Sequence, residues 1–300
     1  MLESWNNKKV LVTGGNGFLG SHLCSKLRQF GADVHATSRQ NRLSNSIMWH
    51  QTDLSSLQET QSIIDQINPN VIYHFAGETS GSQDLSLVTS TFESLLQSTI
   101  NVLLVAHKLK NCKVILAGSL NSIPINSQTP PSSPYAIAKY AASAYGRMFN
   151  LLYDLPVVIV VPFMTFGPAQ NPNKLISSTI ISLLKNEMPK ISSGKWESDW
   201  IFVDDVINSF ILAGSVPGIE GYSFQIGTGI KRSVQEIVLQ IVKQMKSPIQ
   251  PVFGALLDRK SEPESRVADI TEARDKLGWF PTTSFEDGLQ KTINWYTSHE

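Results

Sequence analysis

The segment Val12-Thr13-Gly14-Gly15-Asn16-Gly17-Phe18-Leu19-Gly20 follows a short apolar run, Lys9 to Val12, and opens a helical pattern. Leu19, Leu23, Leu27 and Phe30 form the apolar stripe of that helix, which stops at Gly31. A strand that feeds a glycine turn into a helix leaves the chain little local freedom. Gly14 permits the tight turn, Gly17 lets backbone N–H groups approach an anion, and Gly20 lets the helix pack close on the strand. The positive end of the helix dipole then favours a phosphate. The spacing G-x-x-G-x-x-G is one residue longer between its first two glycines than the G-x-G-x-x-G form. It predicts dinucleotide binding, with Gly14, Asn16, Gly17, Phe18, Leu19 and Gly20 around the pyrophosphate.

Beyond Gly31, strand candidates alternate with helical stretches. The strands are Val34 to Thr37, Met48 to Gln51, Val71 to Phe75, Val114 to Ala117 and Val157 to Val161. Helices are predicted over Leu57 to Ile67, Leu87 to Leu109 and Pro134 to Leu152, each long enough for the crossover that parallel strands require. This is the rhythm of an α/β fold with a doubly wound parallel sheet, a Rossmann domain over residues 1–168. After Pro168 the rhythm loosens into Leu175 to Lys185, a strand near Trp200 to Val203, Val206 to Ala213 and Tyr222 to Ile226. Ser233 with Glu236 and Ser284 with Asp287 have capping-box spacing for two further helices. Residues 169–300 are thus expected to form a smaller substrate-binding lobe that returns some segments to the main sheet.

Twenty-five basic residues balance 25 acidic ones, which argues against nucleic-acid binding or broad attraction to a membrane surface. No apolar run precedes the first strand, so neither a secretory signal nor a membrane anchor is expected, and a cytoplasmic location follows. Cys24 and Cys112 lack metal-type spacing; both are expected to be reduced bystanders, and no metal is expected.

Tyr135-Ala136-Ile137-Ala138-Lys139 opens a helix just after Pro134, and a spacing of four puts the phenol and the ammonium on one face. A nearby ammonium favours phenolate, which predicts a tyrosine pKa lowered toward the working pH for proton exchange with a carbonyl or alcohol oxygen. Ser119 lies just past the strand Val114 to Ala117, at the carboxyl end where open α/β sheets hold ligands. His74 falls on a buried strand and reads as a satisfied core histidine.

These pieces resemble the extended short-chain dehydrogenase/reductases, the NAD(P)-dependent nucleotide-sugar epimerase, dehydratase and reductase family, over essentially the whole chain. The matching segments are Thr13 to Gly20, Asp53-Leu54, His74-Phe75-Ala76-Gly77, Ser119, Tyr135 to Lys139, Pro162-Phe163 with Gly167-Pro168, Asp199 to Val206, and Gly278-Trp279-Phe280-Pro281. The resemblance implies that Ser119, Tyr135 and Lys139 are catalytic and that Tyr135 and Lys139 also contact the nicotinamide ribose end of the cofactor. It further implies that Asp53 and Leu54 flank the adenine, while Phe75, Ala76, Gly77, Pro162 and Phe163 line the cofactor. Glu78, Thr79, Ser119, Asn121, Tyr135, Met164 and Arg259 are the implied contacts of a nucleotide-diphospho-sugar. Three positions depart from the family pattern: Ser198 and Met164 stand where an arginine and an asparagine are frequent, and Ser94 replaces another asparagine. Lys195 or Arg266 are candidate replacements for the missing cation, and Trp196 and Trp200 candidate stacking residues, with buried packing the plainer reading of Trp200.

Where NAD-binding members place an aspartate against the ribose hydroxyls, this chain has Ser38, followed by Arg39. A carboxylate there repels a 2′-phosphate, whereas a serine and a guanidinium bind it, so NADP(H) is favoured over NAD(H). Ser119-Leu120-Asn121 carries none of the acidic residues with which dehydratases of the family follow their catalytic threonine. The expected activity is therefore reduction of a nucleotide-activated 4-keto-6-deoxy sugar. The alternatives are an NAD-dependent 4-epimerase and a non-catalytic dinucleotide-binding sensor or scaffold. Helices Leu87 to Leu109 and Tyr140 to Leu152 are apolar on more than one side, and the resemblance implies a homodimer through them.

Overall fold

A strand covered by helices on both faces has no polar side, and four segments of this chain have that character. β1 (Lys9–Thr13), β2 (Asp33–Ser38), β4 (Val71–His74) and β6 (Val157–Pro162) are buried along nearly their whole length. The structure, a computed structural model, describes residues 5–42, 46–120, 131–258 and 265–299. With β3 (Met48–Gln51), β5 (Lys113–Ala117) and β9 (Ser223–Ile226) these strands form a seven-stranded sheet in the order β3-β2-β1-β4-β5-β6-β9. The pairs from β3 through β6 are parallel, as the sequence rhythm predicts. The sheet grows outward from β1 in one direction, then resumes on the other side at β4. That reversal opens a crevice at the carboxyl ends of β1 and β4, where ligands of doubly wound sheets bind.

The connecting helices are α1 (Phe18–Gln29), α2 (Leu57–Ile67), α3 (Leu87–Thr91), α4 (Ser98–Ala106) and α5 (Pro134–Tyr153). One core cluster packs Ile63, Ile64 and Ile67 of α2 and Val102, Leu103 and Val105 of α4 against Leu11, Ile72, Val114 and Ile159 of the sheet. The stretch predicted as one helix over Leu87 to Leu109 ends at Ala106 and contains a π-helical segment, Phe92–Gln97, between α3 and α4. Ser133 caps α5 by accepting from the Ala136 N–H at 3.2 Å, and Pro134 occupies its first turn. That start fixes Tyr135 in the opening turn. Cys24 and Cys112 are free and buried, and burial pushes both thiols up to about 12.

The chain divides into two compact units. The first holds Met1–Pro162, Ile207–Gln225 and Glu272–Trp279; the second holds Phe163–Val206, Ile226–Thr271 and Phe280–Glu300. The remaining helices are α6 (Leu175–Leu184), α7 (Val203–Ser215), α8 (Val234–Gln244), α9 (Thr271–Leu277) and α10 (Phe285–His299). The second unit contains a three-stranded sheet in which β8 (Glu197–Phe202) pairs parallel with β7 (Met164–Phe166) and antiparallel with β10 (Lys231–Ser233). β7, β10 and α9 were not expected from sequence. The capping box at Ser233 is complete: Ser233 Oγ accepts from the Glu236 N–H and Glu236 Oε2 accepts from the Ser233 N–H. At Ser284 the hydroxyl accepts from the Asp287 N–H but donates to Asp287 Oδ2, so the carboxylate meets the cap side chain.

Asp199 organises the second unit. Its fully buried carboxylate accepts from Thr228 N (2.8 Å), Thr228 Oγ1 (2.6 Å), Gly229 N (2.8 Å) and Ala268 N (3.1 Å). Asp199→Asn would turn an amide N–H₂ toward these donors and remove the charge that strengthens them. The expected outcome is a loss of about 3 kcal/mol in unfolding free energy, read from urea denaturation.

Candidate active site

The crevice begins where β1 meets the glycine turn. Gly14 has φ +64°, and a Cβ built on it would lie 2.9 Å from the Ala76 backbone. At Gly20 a Cβ would come within 2.3 Å of the Gly14 carbonyl oxygen, so the first turn of α1 approaches the strand end at a distance only glycine allows. Gly15 N donates to the Thr37 carbonyl and Gly17 N to that of Gly14, tying the turn to β2 and to itself. Gly17 is the N-cap of α1 and supplies no side-chain cap. The opening N–H groups of α1 thus receive no side-chain cap, which is the arrangement a helix start needs to accept an anion. Asn16 and Gly17 are exposed there; Phe18 and Leu19 are half-buried.

At the adjoining end of β2, Ser38 is buried and its Oγ accepts from the Gln40 N–H at 3.2 Å. Arg39 is exposed, with its carbonyl receiving Gln51 Nε2. Arg42 stacks over Trp49, 5.7 Å from the ring centroid. After β3, Asp53 Oδ1 accepts from Ser55 N and Oγ, and Leu54 is buried beneath the turn. Asn101, a residue whose role sequence reasoning missed, locks this turn: its Nδ2 donates to the Leu54 and Ser55 carbonyls at 2.9 Å each. The available signal was a buried amide in the otherwise apolar stretch of α4.

At the end of β4, Phe75 packs edge-on against Phe210, and Gly77 passes so close to the π-helical segment that a Cβ would strike Leu95. Glu78 Oε1 accepts from the Thr79 and Ser80 N–H groups at 2.8 Å each, turning that oxygen onto its own loop. Ser94, the residue in the asparagine position, accepts from Glu78 N at 3.1 Å. His74 is the satisfied core histidine expected. It lies between Thr13 Oγ1 and Ser98 Oγ, and burial, then the charge of Lys139, push its pKa down to about 3.

Ser119 and Tyr135 come together and hydrogen-bond. Lys139, 8% exposed, donates from Nζ to the Ala117 carbonyl at 2.8 Å. The lowered tyrosine pKa expected from Lys139 is reversed: burial holds the Tyr135 phenol above its ordinary value, against the downward pull of the Ser119 hydroxyl. Burial also pushes Lys139 down to about 8. Both groups are therefore held toward their neutral forms, leaving the phenol with a proton to give and the amine near its titration point at physiological pH.

Pro162 closes β6 in the first unit; Phe163, buried, and Met164, half-buried, begin the second. Asn121 and Arg259 lie outside the described residues. Trp200 is buried, donates from Nε1 to the Arg232 carbonyl and meets Trp196 edge-on, in keeping with a packing role. Ser198 is buried, and the main chain of Arg232 pairs opposite it. Among the described residues no group of acidic, histidine or cysteine side chains is arranged to hold a metal, and no helix is long and apolar enough to cross a membrane.

The model of the NAD dependent epimerase/dehydratase family matches residues 10–227, from β1 past β9. The chain belongs to this family. A UDP-glucose 4-epimerase of Mycolicibacterium smegmatis is 29% identical over 317 residues, covering 96% of this chain and 98% of that one. A dTDP-glucose 4,6-dehydratase of the same organism is also 29% identical, over 97% of this chain and 94% of the relative. The crystal structure of the UDP-glucose 4-epimerase of Thermotoga maritima with UDP-glucose superposes with a TM-score of 0.88 at 25% identity, over 97% and 99% of the two chains. The protein is thus an enzyme of the extended short-chain dehydrogenase/reductase family, with a nicotinamide dinucleotide as its cofactor. The glycine cradle and the uncapped start of α1 fit that group.

The lysine gives a signed test. Below pH about 8 the ammonium is charged in both folded and unfolded chains, and folding carries the full cost of burying it. Between about 8 and the ordinary 10.5 the folded chain gives up the proton first, so stability rises with pH. Relative to Lys139→Met, the parent is expected to gain about 3 kcal/mol from pH 7 to pH 10.5, at ~1.4 kcal/mol per pH unit between the two values. Paired urea titrations at both pH values measure it; a constant difference between the two proteins refutes the buried-ammonium account.

Proposed function

We propose that the protein is an NADP(H)-dependent reductase of a nucleotide-activated 4-keto-6-deoxy sugar. The observation that carries the reading is the end of β2. The Gly15 N–H donates to the Thr37 carbonyl, so Ser38 and Arg39 adjoin the glycine turn, and neither of these two residues carries a carboxylate to repel a 2′-phosphate. Enzymes that consume a diffusible reduced cofactor use NADPH more often than enzymes that retain their cofactor through a closed cycle. The reading assigns Ser38 and Arg39 to the phosphate, Asp53 and Leu54 to the adenine, and Phe75 to Gly77 with Pro162 and Phe163 to the rest of the dinucleotide.

When bound, the reduced nicotinamide supplies a hydride to a carbonyl carbon. The Tyr135 hydroxyl gives its proton to the carbonyl oxygen, and Ser119 donates a hydrogen bond to the same oxygen as negative charge develops. Lys139 steadies the resulting phenolate as a cation and holds the ribose, and solvent restores the tyrosine proton. The Ser119 hydroxyl, hydrogen-bonded to Tyr135, pulls the phenol pKa down against the upward push of burial and so favours proton release. Glu78, Thr79, Asn121, Met164 and Arg259 are the proposed contacts of the nucleotide-diphospho-sugar, with the second unit as its main substrate lobe.

A second reading, a 4-epimerase that retains NAD, is favoured by the epimerase relatives and by the family's NAD dependence. Dehydration fits less well, because Ser119-Leu120-Asn121 carries no carboxylate. We also infer a homodimer through the helices from 87 to 106 and α5, on which Val88, Phe92, Leu104, Ile137 and Tyr145 keep more than a third of their surface exposed.

With dTDP-, GDP-, CDP- and UDP-linked 4-keto-6-deoxyhexoses, the protein is expected to consume NADPH with at least one, followed by absorbance. Near-stoichiometric NAD on the purified protein, with no NADPH consumption, decides for the epimerase. Tyr135→Phe is expected to lower kcat by about 10²–10⁴. Arg39→Asp is expected to weaken NADPH about tenfold or more while sparing NADH; equal losses refute phosphate recognition by Arg39.

A further inference from the structure

The hydrogen bonds around His74 admit one assignment of its protons. Thr13 Oγ1 accepts from the Phe75 and Ala76 N–H groups, at 3.1 Å each, which occupies both lone pairs of the hydroxyl. Its own hydrogen is then left for His74 Nδ1 at 2.8 Å, so Nδ1 is the acceptor and the ring proton sits on Nε2. His74 Nε2 donates to Ser98 Oγ at 3.4 Å, and Ser98 Oγ donates to the Ser94 carbonyl at 2.6 Å. Every donor in the run points the same way, from β1 through β4 into the π-helical segment. The surroundings agree: Thr13, His74 and Ser98 are each at most 3% exposed, and burial and the nearby Lys139 ammonium disfavour a second ring proton.

We propose that His74, locked as its neutral Nε2–H tautomer, is a positioning residue that sets the shape of the dinucleotide crevice; this rests on the cofactor reading given above. Thr13 immediately precedes Gly14, and its hydroxyl binds the first two residues of the segment Phe75 to Gly77 across the switch point of the sheet. The ring fixes the rotamer of that hydroxyl by taking its hydrogen. Through Ser98 and Ser94 the same run reaches the π-helical segment, where Ser94 Oγ in turn receives the Glu78 N–H. One histidine thus ties the glycine turn, the cofactor-lining segment and the helix beneath Gly77 into a single hydrogen-bonded unit. Its contribution is to geometry: His74 donates no proton to substrate, and its nitrogens are both engaged.

The test combines binding with a spectroscopic readout on the full-length protein. NADPH and NADH affinities are measured by fluorescence titration for the parent, Thr13→Val, Thr13→Ser, His74→Leu and His74→Asn. Thr13→Val and His74→Leu are expected to weaken both dinucleotides about tenfold or more. Thr13→Ser is expected to stay within about threefold of the parent, and His74→Asn to recover most of the loss, because its amide oxygen takes the place of Nδ1. Isotope-labelled histidine in the parent is expected to show, among the six histidines, one assigned to His74 by its loss in His74→Asn, with an unprotonated Nδ1 and a protonated Nε2 at pH 7. Parent-like affinity in His74→Leu, or a proton on Nδ1, overturns the proposal. If His74→Leu fails to fold, the Thr13 pair and the tautomer decide. A parent that binds neither dinucleotide overturns the cofactor reading and this role with it, and the tautomer spectrum then shows separately whether the hydrogen-bonded unit exists.

Discussion

The distance at which α1 approaches β1 governs everything built at this end of the sheet. With 2.3 Å between the Gly14 oxygen and a hypothetical Cβ on Gly20, no other side chain fits without moving backbone. That closeness aims the helix start at the switch point and lets Gly14 pass beneath Ala76. It also keeps the carboxyl ends of β1, β2 and β4 in mutual reach. The helix start proposed to meet the phosphate is consequently made of main chain, whose geometry does not depend on rotamers.

A second theme of the crevice is the cost of keeping ionisable groups dry. Tyr135, Lys139 and His74 are all displaced by burial in the direction of their neutral forms. The hydrogen bonds that each makes, with Ser119, the Ala117 carbonyl, and the Thr13 and Ser98 hydroxyls, offset part of that cost. A site of this kind responds strongly to a polar ligand, because any new partner for the ammonium or the phenol acts in a medium that screens it poorly.

The parallel sheet was legible because its strands are apolar without alternation, and α2 because Ser56 caps an amphipathic stretch that ends at Asn68. The glycine turn was legible from its spacing between an apolar run and a helical stripe, and the place of Tyr135 in the first turn of α5 from the proline before it. β7 and β10, three residues each, were not, since so short a segment shows no period. Nor was the direction of the Tyr135 shift. Spacing reveals a neighbouring charge, whereas desolvation depends on the whole enclosure. The roles of Thr13, Ser98 and Asn101 stayed hidden for a related reason: a small polar residue amid apolar ones looks alike in sequence whether it is idle or bonded at both ends.

The two cysteines bear on how the protein is handled. With both thiols buried and pushed up to about 12, almost no thiolate is present near neutrality to react with alkylating or oxidising reagents. The native surface is chemically silent toward maleimides. A cysteine introduced at an exposed position becomes a unique attachment point for a fluorophore or spin label, with no need to strip native sulfur from the core.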